Sequence, residues 1–250
     1  MIPASVGFQC PECVRAGQSG ARAPKGGGLR SAGRRWGPVT LSLIAVNVAM
    51  FVVTAISAAL DGNNPIENYR STVFVWLSQW PVLVDAGQWW RLVTAAFLHV
   101  GPFHLVLNML ALLVFGAELE RALGRGRFLA LYFLSILGGA AAIQLFGDPG
   151  IPVAGASTAL YGLLGGLGVL LVSRRQDLRG LVTLLVINVL ISVLVPGISI
   201  LGHVGGFVAG ALAAGVLVLA RRRTAAQTVG LVALGAVLLA LCLVVSTVAR

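Results

Sequence analysis

Long apolar stretches alternate along the chain with short polar or glycine-rich connections. An α-helix needs roughly 20 predominantly apolar residues to cross the roughly 30 Å hydrocarbon layer of a membrane. The pattern therefore predicts seven transmembrane helices and an all-α, polytopic membrane fold. The predicted spans are residues 39–60, 103–119, 127–146, 156–173, 180–196, 201–220 and 226–248.

The connection between the first two predicted spans, residues 61–102, is a tryptophan-rich segment. It is too polar to span the membrane and too apolar for a plain loop. Four of the five tryptophans lie in it, at Trp76, Trp80, Trp89 and Trp90. Because tryptophan favours the boundary between water and lipid, we predict that this segment lies in the headgroup region.

The composition excludes a soluble protein. Hydrophobic residues make up 58% of the chain and charged residues only 10%, against roughly 25% charged in a soluble domain. The formal net charge of +10 would fit a nucleic-acid binder, but the arginines cluster at the ends of the predicted helices. Anionic lipid and the positive-inside rule account for that placement, so we expect membrane lipid and no nucleic acid among the partners.

Arginine placement also predicts the orientation of the chain in a cell membrane. One set of connections carries clusters of arginine, and the opposite set is nearly free of them. The arginine-rich set comprises the N-terminal tail, Arg121 to Arg127, Arg174 to Arg179 and Arg221 to Arg223. Seven spans alternate with this pattern, so we expect the N-terminus in the cytoplasm and the C-terminus, Arg250, outside.

The chain divides into three predicted parts. Residues 1–36 are glycine-rich and basic and cannot build a core, which predicts a flexible cytoplasmic tail. Residues 37–220 form the predicted six-helix core, and residues 221–250 form a linker and the seventh helix. Cys10 and Cys13 have the spacing of half a zinc site, but structural zinc requires four ligands and no other Cys or His lies nearby. We favour an unoccupied remnant and keep zinc at these cysteines as the weaker alternative.

The candidate chemistry lies at the predicted outer ends of three helices. The residues are Ser157 at the start of the fourth span, His203 at the start of the sixth, and His104 and Asn108 in the second. All three spans run inward from the outer side, so these polar groups are expected at a similar depth. Glycines spaced three and four residues along the fourth and sixth spans let them pack closely, which would bring the hydroxyl beside the imidazole.

These residues suit nucleophilic catalysis, because a neutral imidazole is the usual base that activates a serine hydroxyl. The fourth and sixth spans contain no Asp or Glu, so we predict a Ser157–His203 dyad rather than a triad. Tyr161, one helical turn from the serine, is a candidate to pack against the imidazole and orient it. His104 and Asn108 share a helix face and are candidates, with the Ser157 backbone N–H, to stabilise an oxyanion.

Each residue also has a purely structural explanation. A serine in a membrane helix usually bonds its own backbone, and Asn108 is equally suited to bonding a neighbouring helix. A histidine within the membrane is costly and more often functional, which favours a role for His203. His99, the third histidine, is better explained as tying down the tryptophan-rich segment. The functional hypothesis depends on the conjunction of these residues at one depth.

Together these residues resemble the rhomboid family of intramembrane serine proteases over residues 37–220. Each motif is short, but the set in this order is specific. In chain order the motifs are Trp90-Arg91, His99-x4-His104-x3-Asn108, Gly116-x3-Glu120 with Gly124, Gly155-x-Ser157 and His203-x2-Gly206-x3-Gly210. Two residues depart from the family pattern: Thr158 stands where glycine usually follows the serine, and Gly202 stands where alanine commonly precedes the histidine.

The resemblance implies a serine endopeptidase with Ser157 as nucleophile and His203 as base. It also implies that His104 and Asn108 line the oxyanion site and that Tyr161 stacks on the catalytic histidine. Rhomboid proteases need no cofactor and cut transmembrane proteins near the outer membrane face, so we expect substrates of that class. The seventh span makes the chain similar to the six-plus-one form, with the extra helix at the C-terminus.

Residues 1–13 are similar to the end of a small cysteine-rich, zinc-binding segment that precedes the core in some high-GC bacterial rhomboids. On this resemblance the earlier zinc ligands are missing. We accordingly expect that Met1 is an internal methionine of a longer protein.

Two other functions fit parts of the sequence. The first is a catalytically inactive rhomboid-like protein that binds membrane-protein clients. Such proteins usually lack the serine or the histidine, and both are present here. Thr158 is the only residue that supports this hypothesis. The second is a transporter that uses the serine and the histidine as a polar pathway. Such a protein is expected to have charged residues at mid-membrane and broken helices related by an internal repeat. The inner halves of these spans are nearly all Leu, Val, Ala and Gly, which argues against a transporter.

Overall fold

Seven apolar helices dominate the computed structural model, which describes residues 2–3, 8–10, 12, 29–195 and 197–248. The helices are α1 Pro38–Leu60, α2 Gly101–Leu123, α3 Arg125–Phe146, α4 Ser157–Ser173, α5 Arg179–Leu194, α6 Ile200–Leu219 and α7 Thr224–Val248. α2 contains a π turn at Leu112–Gly116. The helices follow the predicted spans closely, and the predicted all-α membrane fold is confirmed.

The helices differ in length in a way that bears on the candidate site. α1, α2, α3, α6 and α7 are long and apolar enough to cross a membrane. α4 has 17 residues and α5 has 16. At 1.5 Å per residue each rises about 25 Å, less than the roughly 30 Å of a hydrocarbon layer. The chain leading into α4 is non-helical, and its interactions explain why the helix can begin where it does.

The non-helical approach to α4 pairs with the tryptophan-rich segment. Gln79 and Val153 exchange backbone hydrogen bonds with N–O distances of 3.0 and 2.8 Å. The N–H of Gly155 donates to the carbonyl of Ala95 at 2.9 Å. Irregular backbone is tolerated at membrane depth only where other protein groups satisfy it. This pairing therefore satisfies the irregular backbone that leads to Ser157 at the start of α4.

The tryptophan-rich segment consists of short helical turns. They are Pro65–Arg70, Thr72–Leu77, Pro81–Asp85, Arg91–Thr94 and Ala95–Phe97. Trp76 and Trp90 are exposed and pack with their ring centroids 5.3 Å apart. Arg91 is buried, and its guanidinium donates to the carbonyls of Val75 and Ser78 at 2.7 and 2.6 Å. These bonds hold the turns together, and the exposed rings suit the predicted headgroup location.

α4 and α6 form the centre of the core and pack together against α3. Glycines bring the α4 and α6 backbones into direct contact. A side chain on Gly206 would collide with the carbonyl of Thr158, and one on Gly210 would collide with the carbonyl of Gly162. This close approach carries the first turn of α6 alongside the first turn of α4, as the glycine spacing predicts.

A buried carboxylate joins α1 to α2. Glu120 accepts hydrogen bonds from the N–H of Val39 at 3.1 Å, the N–H of Thr40 at 2.8 Å and the hydroxyl of Thr40 at 2.8 Å. The first turn of a helix has N–H groups without intrahelical partners and attracts negative charge. Glu120 therefore caps α1 from a position 80 residues further along the chain.

The N-terminal unit, Met1–Arg35, has short strands and a helix among its described residues. Ile2–Pro3 and Phe8–Gln9 pair as short antiparallel strands, and a helix covers Leu29–Trp36. The predicted tail thus contains a helix, because Leu, Ala and Arg in that stretch favour one. Cys10 is exposed, whereas Cys13 lies outside the described residues. In the part of the chain that the structure describes, no three His, Cys, Asp or Glu side chains are grouped as metal ligands.

Candidate active site

Ser157 and His203 form a partly buried, hydrogen-bonded pair at the starts of α4 and α6. Ser157 is the first residue of α4, and His203 lies in the first turn of α6. The Ser157 Oγ atom is 2.9 Å from His203 Nε2. Ser199 caps α6 by accepting a hydrogen bond from the N–H of Gly202 at 3.1 Å, which fixes the turn that carries the histidine.

Tyr161 stacks on the imidazole of His203. The two ring centroids are 4.0 Å apart and the planes are inclined by only 10°. Tyr161 lies one helical turn after Ser157, so a single face of α4 supplies both the hydroxyl and the stacking ring. The stack restricts rotation of the imidazole and keeps its edge directed at the serine.

Ser192 of α5 is a third hydroxyl at the site, and the sequence reasoning missed it. Its Oγ atom is 2.9 Å from His203 Nδ1 and 3.0 Å from the Tyr161 hydroxyl. A triad normally has a carboxylate as the partner of the histidine, so an ordinary serine on another helix did not stand out in the sequence. Ser192 lies near the predicted outer end of the fifth span, at the depth expected for His203, and that position was the available signal.

His104 lies beside Ser157 with one ring nitrogen directed at the space between them. The N–H of Val100 donates to His104 Nδ1 at 3.2 Å, so the ring proton must be on Nε2. A Cβ built on Gly155 would lie 3.3 Å from His104 Nε2 and 3.4 Å from Ser157 Oγ. Gly155 therefore leaves open a space that both the imidazole N–H and the serine hydroxyl border.

Asn108 is buried one turn after His104 on the same face of α2. Its side-chain Nδ2 donates to the carbonyl of His104 at 2.8 Å, so it bonds its own helix rather than a neighbouring one. An amide nitrogen has two protons, and this bond uses one of them. The second N–H remains to serve as a donor.

His99 packs against the ring of His104. It is fully buried, and the two ring centroids are 5.1 Å apart in an edge-to-face arrangement. Burial, with a smaller contribution from neighbouring His104, lowers the pKa of His99 from 6.5 to about 3. His99 is therefore uncharged at neutral pH and contacts a candidate site residue as well as belonging to the tryptophan-rich segment.

Thr158, the departure from the family pattern, is accommodated by glycines on two neighbouring helices. A Cβ on Gly139 of α3 would collide with the Thr158 methyl group, and one on Gly202 of α6 would lie 3.2 Å from its hydroxyl. Thr158 and Gly155 also line a small cavity of about 10 Å³ with Gln79. That volume is about the size that one water molecule needs.

Comparison with known proteins identifies the family of the chain. Residues 86–221 match the family model for the rhomboid domain. Rhomboid protease GluP of Bacillus subtilis (strain 168) is 35% identical over 183 residues, which cover 71% of this chain and 34% of GluP. YdcA of the same organism is 30% identical over 181 residues, which cover 70% of this chain and 86% of YdcA. Rhomboid-like protease 3 of Toxoplasma gondii is 32% identical over 177 residues, 68% of this chain and 66% of the relative.

The extent of these matches differs between relatives. The chain spans only about a third of GluP and of the Arabidopsis thaliana RHOMBOID-like protein 1, with 34% and 35% covered, but most of YdcA. The family match nevertheless covers more than half of the chain and includes all four residues Ser157, His203, His104 and Asn108. The chain is therefore a multi-pass membrane protein that belongs to the rhomboid family.

Proposed function

We propose that the protein is an intramembrane serine endopeptidase that cleaves transmembrane protein substrates near the outer membrane face through a Ser157–His203 dyad. The observation that carries this proposal is the 2.9 Å contact between Ser157 Oγ and His203 Nε2 among apolar helices. The relatives rhomboid protease GluP and Toxoplasma rhomboid-like protease 3 are both named as proteases, which supports the same reaction class.

The first half of the reaction forms an acyl-enzyme. His203 Nε2 takes the proton of Ser157 as the oxygen attacks the carbonyl carbon of the scissile peptide bond. The carbonyl oxygen becomes an oxyanion in the tetrahedral intermediate. When the intermediate collapses, the imidazolium gives its proton to the leaving amine, and the carbonyl carbon remains bonded to Ser157.

The second half of the reaction regenerates the serine. Water gives a proton to His203 Nε2 while its oxygen attacks the acyl carbonyl, and collapse returns the proton to Ser157 and releases the carboxylic acid. No carboxylate is required at any step.

Three donors are proposed to stabilise the oxyanion. They are the Nε2–H of His104, the second side-chain N–H of Asn108 and the backbone N–H of Ser157. The last belongs to the first turn of α4, where backbone N–H groups have no intrahelical acceptor and the helix dipole favours negative charge. Removal of one such donor typically lowers kcat about 10²–10³-fold.

The proposed orientation follows from the arginines. With the N-terminus in the cytoplasm and Arg250 outside, the starts of α4 and α6 face the outer side of the cell membrane. The membrane lipid and the transmembrane substrate are then the partners of the protein. Reporter fusions at each end that are active only inside or only outside the cell would check this orientation.

The alternative is a catalytically inactive rhomboid-like protein that binds membrane-protein clients, and Thr158 is the reason to consider it. In the structure Thr158 points at glycines of α3 and α6 and does not separate Ser157 from His203. The geometry therefore favours the protease.

The proposal is tested by reconstituting the full chain in liposomes with a single-pass substrate that carries a small residue near its outer end. Wild type, Ser157→Ala and His203→Ala are compared for cleavage, and each is also treated with a fluorophosphonate probe. We expect cleavage and labelling by wild type and neither reaction from the two variants. A folded wild-type protein that neither cleaves several such substrates nor reacts with the probe would overturn the proposal and leave the client-binding alternative.

A further inference from the structure

We propose that Ser192 is a positioning residue that fixes the protonation state of the His203 ring, so that the site operates as a Ser157–His203–Ser192 relay. This inference rests on the proposed protease function. Ser192 Oγ occupies the position at His203 Nδ1 where a triad would place a carboxylate oxygen, at a distance of 2.9 Å.

The hydroxyl of Ser192 has its full set of hydrogen-bond partners. A serine hydroxyl has one proton to donate and two lone pairs to accept with. Ser192 Oγ is 2.8 Å from the carbonyl oxygen of Asn188, 2.9 Å from His203 Nδ1 and 3.0 Å from the Tyr161 hydroxyl. The one proton and the two lone pairs of the Ser192 hydroxyl are therefore all used by these three partners.

The carbonyl of Asn188 decides which partner receives the proton. A carbonyl oxygen can only accept, so a 2.8 Å contact without a proton would bring two sets of lone pairs together. Ser192 must then donate to Asn188 and accept from the other two groups. His203 Nδ1 accordingly carries a proton, and so does the Tyr161 hydroxyl that faces Ser192.

This assignment leaves His203 ready to act as a base. A neutral imidazole has one protonated and one unprotonated nitrogen. With the proton on Nδ1, the lone pair of Nε2 faces Ser157 Oγ at 2.9 Å and can accept its proton. The opposite tautomer would place an N–H against the serine and could not activate it.

The location of Ser192 explains why a hydroxyl serves here. α5 is exposed along almost its whole length, and Ser192 is its one buried residue. An ionised carboxylate at this position would need desolvation among apolar helices at considerable cost, whereas a serine that bonds its own helix is readily buried. α5 therefore contributes a single polar group to the site, and that group contacts the catalytic base.

The test compares Ser192→Ala and Ser192→Thr with wild type in the reconstituted full chain. Loss of one hydrogen bond to the base is expected to lower kcat on the order of tenfold, with KM unchanged. Ser192→Thr keeps a hydroxyl and should restore activity. Ser135→Ala is the matched control, because Ser135 is also buried and donates to its own helix, at the Leu131 carbonyl, 2.7 Å away.

A second measurement observes the ring directly. In protein labelled with ¹⁵N-histidine, the nitrogen resonances of His203 report which ring atom carries the proton, and His203→Ala assigns them. We expect a protonated Nδ1 and an unprotonated Nε2 in wild type and in Ser192→Thr, and a mixture in Ser192→Ala. If Ser192→Ala does not fold, Ser192→Cys retains the volume with a poor acceptor and should give the same mixture.

The outcomes separate this inference from the proposed function. Wild-type activity together with kcat for Ser192→Ala within twofold of wild type would overturn the relay and leave the protease intact. A wild-type His203 that carries its proton on Nε2 would also overturn it, whether or not the protein cleaves a substrate. If wild type neither cleaves substrate nor reacts with the probe but carries the His203 proton on Nδ1, the proposed protease function is refuted. The positioning of the His203 ring by Ser192 then still stands.

Discussion

Gly155 offers the sharpest test of the proposed oxyanion site. Its φ of 139° lies in a region that favours glycine, and an added Cβ would lie 3.0 Å from His104 Cε1, 3.3 Å from His104 Nε2 and 3.4 Å from Ser157 Oγ. A methyl group would thus fill the space between the imidazole and the hydroxyl, where the oxyanion is expected to form. We predict that Gly155→Ala folds but loses most of its activity.

Two effects of the substitution differ in size. The positive φ costs an alanine roughly 1–2 kcal/mol, which lowers the Tm of a chain of this size by roughly 2–8 °C. Displacing His104 from the oxyanion removes a donor worth about 10²–10³-fold in kcat, or about 3–4 kcal/mol of transition-state stabilisation. Activity should therefore fall far more than the loss of stability explains.

The control isolates the backbone strain. Gly62 has a φ of 75° and no atom within 4 Å of an added Cβ, so Gly62→Ala carries the strain without crowding the site. Both variants are measured for Tm in detergent and for kcat with a transmembrane substrate in liposomes. If Gly155→Ala keeps more than a tenth of the wild-type kcat, or if Gly62→Ala loses as much activity, the assignment of this space to the oxyanion is wrong.

Three further predictions concern stability and the unusual residue beside the nucleophile. Glu120→Gln should lower the free energy of unfolding by about 2–3 kcal/mol, since an amide cannot accept all three bonds at α1, whereas exposed Glu118→Gln should leave the Tm unchanged. Because the pKa of His99 falls from 6.5 to about 3 on folding, the unfolded chain binds an extra proton below pH 6.5 and stability drops as the pH falls. Between pH 6.5 and 5 the free energy of unfolding should fall by about 2 kcal/mol because of His99. Chemical denaturation of wild type and His99→Leu at both pH values checks this, since the variant should lack that part of the fall. Thr158→Gly should lower stability by about 2 kcal/mol, because it loses packing and helix propensity, while fluorophosphonate labelling persists; loss of labelling would contradict this view of Thr158.

The helices were predictable because apolar stretches are limited by the membrane, and their ends lie within two residues of the predicted bounds except at the C-terminal end of α2. The span predicted over residues 103–119 lies within the helix Gly101–Leu123, which continues through Glu118, Glu120 and Arg121. Hydropathy reports where a helix leaves the hydrocarbon layer, whereas the helix ends where its backbone hydrogen bonds end, here before Gly124 with a φ of 82°. The extra turn matters, because it carries Glu120 to the start of α1.

The approach of Ser157 to His203 could be anticipated because both residues begin spans from the same side and are followed by glycines. The hydrogen bonds that Ser192 and Glu120 make to other helices could not be anticipated. A serine in an apolar helix normally bonds its own backbone, which Ser192 also does, so its bond to His203 depends on how α5 crosses the core. Glu120 likewise acts on Val39 and Thr40, 80 residues or more away in sequence.

The candidate site is built entirely from hydroxyls, imidazoles and one amide, and this composition suits its surroundings. A resident carboxylate would have to be desolvated permanently among apolar helices. In the proposed mechanism charge arises only when His203 takes the proton of Ser157, and the imidazolium and the oxyanion form together and close to each other. Their attraction, strong at low dielectric, exists in the transition state and not before it. Fixed donors on His104, Asn108 and α4 then stabilise a charge that the ground state never carries, which is the condition for raising kcat rather than merely tightening substrate binding.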